Sequence, residues 1–297
     1  MKTYFLLLLC VLFWAGNFVL GRFVKDEVEP LELAFFRWFL TLIIISPILI
    51  FRFKRILKSV KKNYLILLFL ATLGIAAYNT LVYSALSMTT STNALIINST
   101  VPILILCLSF FILKQKIVLR QLVGIILSTI GVLFLILQGD FINIFSLTFN
   151  NGDLLIILSS ILWATYSVFI KFRPKDLNNF EFFATIVFLG FFIFLPFFLT
   201  QNYSIQREIE VFQSNYLVFI YISVFTSCLS YYFWHYGIDT IGASKTGQFI
   251  HIMPIFGITL AYIFLGEKLM FHDFLGALLI MSGIYLSLFY KKEKVDR

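Results

Sequence analysis

The sequence predicts an all-α membrane protein whose ten transmembrane helices form two inverted five-helix repeats. Three observations carry this. Apolar stretches of span length fill nearly the whole chain, basic residues gather on alternate loops, and the second half echoes the first. The chain has 297 residues, of which 60% are hydrophobic and 13% charged, far from the roughly one-quarter charged residues of a soluble domain. A helix needs about 20 apolar residues to cross ~30 Å of hydrocarbon. The runs are continuous and do not alternate, so they read as helices and not as barrel strands.

Span 1, Tyr4–Phe23, follows Lys2 and could pass for a signal peptide. It continues past Trp14 without a clear small-residue cleavage site and reads as a retained helix that carries Trp14 and Asn17. Span 2, Leu31–Phe51, contains Arg37 two turns in. Span 3, Tyr64–Leu86, bears Tyr78, Asn79 and, near its end, Tyr83. Span 4, Thr92–Leu113, places Asn98 one turn before Pro102, and span 5, Leu119–Leu137, has Gly124 and Gly131. The second half follows as spans Asp153–Ile170, Phe180–Leu199, Tyr216–Tyr236, Ala243–Leu265 and Phe271–Tyr290. Cys10, Cys107 and Cys228 lie in separate spans without disulfide or zinc spacing, and read as small apolar fillers.

Charge fixes the expected orientation. With the amino terminus in the cytoplasm, the cytoplasmic loops and tail collect 18 Lys and Arg residues, the Arg52–Lys62 loop and the tail at 291–297 foremost. The far side holds only Arg22, Lys25, Arg207 and Lys268. This positive-inside asymmetry predicts a multi-pass cell (inner) membrane protein with both termini cytoplasmic. The net charge of +8 is therefore an orientation signal, with contact to membrane lipids and no nucleic-acid partner implied.

Aligning Pro102 with Pro254 brings Gly124 onto Gly276 and Gly131 onto Gly283. With one residue of slip Tyr78 meets Tyr231, Tyr83 meets Tyr236 and Asn98 meets His251, and Trp14-Ala15 matches Trp163-Ala164. Five spans per half is an odd number, so the halves, residues 1–138 and 153–290, should be inverted relative to each other. That arrangement is the mark of secondary transporters that alternate access around a central site.

Polar groups in hydrocarbon are expensive and tend to face the bundle interior. The candidate substrate-binding residues are Trp14, Asn17, Tyr78, Asn79, Asn98, Trp163, Tyr166 and Tyr232, joined by Lys245, Gln248 and His251, which recur every three residues towards Pro254. Trp14 and Trp163 fall near mid-span, where an interface belt does not apply. Tyr83 and Tyr236 fit such a belt. The bland alternatives are packing for the aromatics and interhelical hydrogen bonding for His251. Arg37 could face an anionic solute, but it is assigned a structural role, bonding helix-end carbonyls. Pro102 and Pro254 should bend their helices. The paired glycines give spans 5 and 10 thin faces, which could meet within this chain or across two copies.

No Asp or Glu lies mid-span, and no phosphate-binding loop, metal motif or nucleophile elbow occurs. A proton-driven exporter of lipophilic cations, direct ATP drive, an enzyme and a cofactor are therefore not expected. The composition leaves a small-molecule carrier, with an amino acid as the first cargo class and an organic-anion or phosphorylated-metabolite exchanger as the second. An intramembrane enzyme or lipid-binding structural protein fits the hydropathy but not the repeat.

The motifs Trp14-Ala15-Gly16-Asn17, Phe36-Arg37-Trp38-Phe39, Pro254, Leu265-Gly266-Glu267-Lys268-Leu269 and Gly276-Ala277-Leu278-Leu279-Ile280-Met281-Ser282-Gly283 resemble the EamA-like ten-helix branch of the drug/metabolite transporter superfamily. The resemblance spans essentially the whole chain. It implies the five-plus-five fold and metabolite export, and it leaves the cargo open. Lys114-Gln115-Lys116 departs from the Gly-Glu-Arg or Gly-Glu-Lys usual at that turn.

Overall fold

The computed structural model describes residues 1–265 and 268–289. Gly266, Glu267 and the basic tail lie outside the described residues. All regular structure among the described residues is helical, and ten helices are long and apolar enough to cross a membrane. They are α1 (Lys2–Phe23), α2 (Pro30–Phe51), α3 (Phe53–Leu86), α4 (Asn93–Leu113), α5 (Leu119–Ile136), α6 (Asn151–Phe172), α7 (Asn179–Leu199), α8 (Ile205–Ile241), α9 (Ala243–Phe264) and α10 (Phe271–Leu288). Large apolar side chains such as Phe192, Leu217 and Phe264 are exposed on the bundle's outside, as a lipid-facing surface requires.

Two helices are longer than a membrane needs, and for the same reason. α3 and α8 each begin with an amphipathic segment, leave helical geometry at an asparagine, and then enter the apolar bundle. The asparagines are Asn63 (φ −127°, ψ 28°) and Asn215 (φ −122°, ψ 17°). Each turns its side-chain amide back onto the preceding segment: Asn63 Nδ2 donates to the Ser59 carbonyl at 3.1 Å, and Asn215 Nδ2 to the Val211 carbonyl at 3.4 Å. Asn competes well with the helix ladder in this way. Deeper in, both helices widen into π-helical turns, Thr72–Ala77 and Ile222–Leu229.

The amphipathic segments hold the ends of the bundle together. α2 starts with Pro30 and a capping box from Glu29 to Glu32, and α7 starts with a capping box from Asn178 to Glu181. Glu32 and Glu181 are fully buried. Glu32 accepts a fork from Arg207 of α8, with Nε at 2.6 Å and Nη2 at 3.1 Å. Glu181, beyond the other end of α2, faces Arg55 at 3.4 Å and Arg52 at 3.8 Å. Tyr203 donates to Glu29 at 2.6 Å. Partial burial, that bond and the charge of Glu29 hold its phenol above the usual range, so it stays a donor.

Pro102 and Pro254 do not bend continuous helices; they sit where helices restart. α4 breaks at Ser99–Thr100 and resumes at Val101, with Pro102 in its first turn. α9 passes from a short helix (Ala243–Gly247) through a 3₁₀ turn (Gln248–Ile252) into a helix that begins at Met253, one residue before Pro254. A first-turn proline loses no hydrogen bond, because that N–H has no helical partner.

α5 and α10 cross through their glycines within this one chain. A Cβ on Gly124 would lie 2.5 Å from the Gly283 carbonyl oxygen, and one on Gly276 2.6 Å from Leu135 Cβ. The pairs run in opposite order along the two helices, so the seam is antiparallel.

A central cavity as candidate functional site

Trp14 of α1 and Trp163 of α6 meet edge to face at the centre of the bundle, with ring centroids 5.2 Å apart. Tyr78 packs on Trp163 at 4.6 Å and Tyr231 at 5.6 Å. Beside them lies a cavity with about 470 Å³ between atoms, its mouth included. Six predicted residues line it: Trp14, Asn17, Tyr78, Asn79, Asn98 and Trp163. Phe18, Val82, Ile250 and Met253 complete the apolar wall, and Tyr231 and Arg37 the polar one.

The π-helical turns explain how these side chains are held. In the i→i+5 pattern backbone carbonyls fall out of the α ladder, and in hydrocarbon they must find other donors. Side chains of the opposite half supply them. Tyr231 donates to the Gly74 carbonyl at 2.7 Å. Trp14 Nε1 and Arg37 Nη2 both donate to the Thr226 carbonyl, at 3.2 and 3.3 Å. Asn79 Nδ2 then donates to the Tyr231 hydroxyl at 3.2 Å. The rings and amides facing the cavity are thus fixed by backbone behind them.

Arg37 is buried, and its partners are neutral. Nε donates to Ser227 Oγ at 2.8 Å and Nη1 to the Tyr83 hydroxyl at 2.9 Å. Its guanidinium lies 5.0 Å from the Trp38 ring centroid. Tyr83 is no interface-belt residue: it is 4% exposed, and its hydroxyl donates to Asn17 Oδ1 at 3.0 Å. Arg37 therefore braces α2 against α3 and α8 while also standing on the cavity wall.

The other predicted residues lie elsewhere. Tyr166 sits behind Trp163 and shares a 2.6 Å hydrogen bond with His235 Nε2. Tyr232 stacks on Phe180 at 4.5 Å, away from the cavity. Lys245 Nζ donates to the Leu288 carbonyl at 3.3 Å, a cation at the C-terminal end of α10. Gln248 is buried and donates to the Ser244 carbonyl at 3.3 Å. His251 is clamped between the Ser99 carbonyl at 2.9 Å and Ser128 Oγ at 2.6 Å. It faces a smaller cavity of about 170 Å³, which shares Asn98, Ile250 and Met253 with the first. The 3₁₀ turn eclipses residues three apart, so Gln248 and His251 do share a face, but that face packs on α4 and α5.

Tyr231, and not its predicted neighbour Tyr232, is the tyrosine of α8 that lines the cavity. The signal existed in the Tyr78–Tyr231 match. The π segment of α8, Ile222–Leu229, lies just ahead of Tyr231 as that of α3, Thr72–Ala77, lies just ahead of Tyr78, and a π turn shifts which side of a helix faces inward.

Comparison with known proteins agrees with this architecture. The sequence profile of the EamA-like transporter family matches residues 1–137 and 150–289. An uncharacterized transporter of Archaeoglobus fulgidus is 28% identical over 96% of this chain and 97% of its own. A Salmonella typhimurium protein described as a probable amino-acid metabolite efflux pump is 24% identical over 97% of this chain and 95% of its own. A protein of known crystal structure shares the fold, with a TM-score of 0.76 over 96% of both chains at 15% identity. Ten apolar helices around a buried polar and aromatic cavity, matched along nearly their whole length by one family profile, have one reading: this chain is a multi-pass membrane transporter and belongs to the EamA-like transporter family.

Proposed function

We propose that this protein is a secondary carrier that exports small polar or amphipathic metabolites, amino acids first among them, by alternating access around the central cavity. It works in the cell (inner) membrane with both termini in the cytoplasm. The observation that carries the reading is the cavity itself, which pairs aromatic rings with the amides of Asn17, Asn79 and Asn98. Rings accept an apolar side chain and amides accept and donate hydrogen bonds to polar ends. The efflux description of the Salmonella relative points the same way.

Alternating access is supported by features that recur in the two halves. Asn63 and Asn215 break α3 and α8 ahead of π-helical turns, buried capping glutamates open α2 and α7, and the family profile covers two segments of similar length. Trp14 touches Trp163 and Asn79 bonds Tyr231, as expected where an inverted pair of repeats faces itself across a central axis.

Counterflow in proteoliposomes tests the proposal. Vesicles preloaded with one unlabelled amino acid at a time should accelerate entry of the same labelled amino acid relative to protein-free vesicles, for at least one member of the set. No acceleration for any of the twenty common amino acids overturns the cargo class. Orientation is read by impermeant thiol labelling of single cysteines at the exposed Lys58 and Phe145, where only the latter should react from outside in intact cells.

A further inference from the structure

We propose that Arg37 is the carboxylate receptor of the central cavity and sets the cargo class as solutes with a single carboxylate. The inference rests on the carrier reading and assigns that reading its charge.

A guanidinium stays protonated at any physiological pH and offers five N–H donors. Arg37 is only 2% exposed. Such a charge costs several kcal/mol to bury without a counter-charge. The acids nearest in the chain are committed elsewhere: Glu32 to Arg207, Glu27 to Asn215. Among the described residues every ion pair lies outside this site. Three neutral acceptors hold the guanidinium in place, one on each nitrogen. Each terminal nitrogen therefore retains one N–H. A carboxylate accepts such a pair of donors as a fork.

The cavity is where an anion can reach it. Arg37 lines the same space as Asn17, Asn79 and the two tryptophans. A carboxylate placed at Arg37 leaves the rest of the solute against those rings and amides, which also suit an ammonium group by cation–π contact. The place corresponding to Arg37 in the second half holds Ile186, five residues past the buried Glu181 as Arg37 is past Glu32. A single cation balances one carboxylate. A phosphate monoester carries about −1.5 to −2 and would be left under-neutralised.

The test uses purified full-length protein in detergent and simple probes, so that no cargo need be known. Acetate, propionate and benzoate are titrated at constant ionic strength against acetamide, propionamide and benzamide, and thermal stability is read. The carboxylates should stabilise saturably and their amides should not. In Arg37→Gln the carboxylate response should weaken roughly tenfold or more, the loss expected for hydrogen bonds to a charged group. Arg37→Lys, which keeps the charge and loses the fork, should fall between and serves where Arg37→Gln does not fold. Equal responses of the wild type to acid and amide overturn the assignment. So does an undiminished carboxylate response in Arg37→Gln, and so does stronger stabilisation by inorganic phosphate than by any carboxylate. The carrier reading fails separately: carboxylate stabilisation without amino-acid counterflow leaves the Arg37 site standing, and counterflow of amino acids and their amides alike removes it.

Discussion

Two hydrogen-bonded pairs flank the central tryptophans, one from each half. In the first half Asn17 of α1 meets Tyr83 of α3. In the second, Tyr166 of α6 meets His235 of α8. Tyr83 and His235 each lie twenty residues past a kink asparagine, and Asn17 and Tyr166 each lie three past a central tryptophan. The spacings match, yet the first pair is bonded to a buried guanidinium. By the same spacings the places matching Arg37 and Ser227 hold Ile186 of α7 and Ile75 of α3, both fully buried. The first pair thus adjoins a charged stretch of the cavity wall, and the second lies behind Trp163, off the cavity. A few unlike residues set the polarity on either side of the central tryptophans.

The largest effect should come from the buried capping glutamates. Glu32→Ala removes a capping box and the short fork to Arg207, and should destabilise by about 3 kcal/mol, the low end for breaking a buried pair. Glu181→Ala breaks a longer pair to half-exposed arginines and should lose only about 1–2 kcal/mol. Thermal unfolding of the two variants side by side checks it. Equal losses would mean that the two ends of the bundle are held with the same strength after all.

Next come the bonded pairs. Tyr83→Phe strands an N–H of Arg37 and Asn17 Oδ1 together and should cost about 2–3 kcal/mol, whereas Tyr166→Phe strands only His235 Nε2 and should cost about 1 kcal/mol. A reversed order in melting temperature would break the distinction between the pair bonded to a charge and the neutral pair. Gln248→Met should move stability by less than about 1 kcal/mol, because the Gln248 Oε1 atom already lacks a hydrogen-bond partner. Smallest of all is Tyr232→Phe, expected within about 0.5 kcal/mol of wild type. It should leave counterflow unchanged where Asn79→Leu abolishes it.

The ten helices were readable because hydrocarbon imposes one length and one composition on every span. Much of the cavity was readable too, since mid-span Trp and Asn have few other places to go. What stayed hidden depends on backbone phase. The Tyr78–Tyr231 match pointed to Tyr231 over Tyr232, but the π turn that sets the phase of α8 is announced by nothing in Ile222–Leu229. The position of Tyr83 near a span end suggested the membrane surface, but a buried hydroxyl between Arg37 and Asn17 is a tertiary fact. Lys245, Gln248 and His251 keep their three-residue rhythm, yet a rhythm defines a face and not what the face meets. Pro102 and Pro254 were expected to bend helices 4 and 9, and each instead follows by one residue the point where its helix restarts.

The freed carbonyls of the π turns divide the cavity into positions that can vary and positions that cannot. Trp14 and Tyr231 look like substrate contacts, but each also closes a backbone acceptor in hydrocarbon. Exchanging either for an aliphatic residue would reshape the cargo space and open a helix wall in one step. Phe18, Val82, Ile250 and Met253 line the same space, and an apolar side chain closes no carbonyl. Variation in cargo size within this architecture is therefore cheapest at those four positions, which form a tunable lining set into a frame that must be inherited whole.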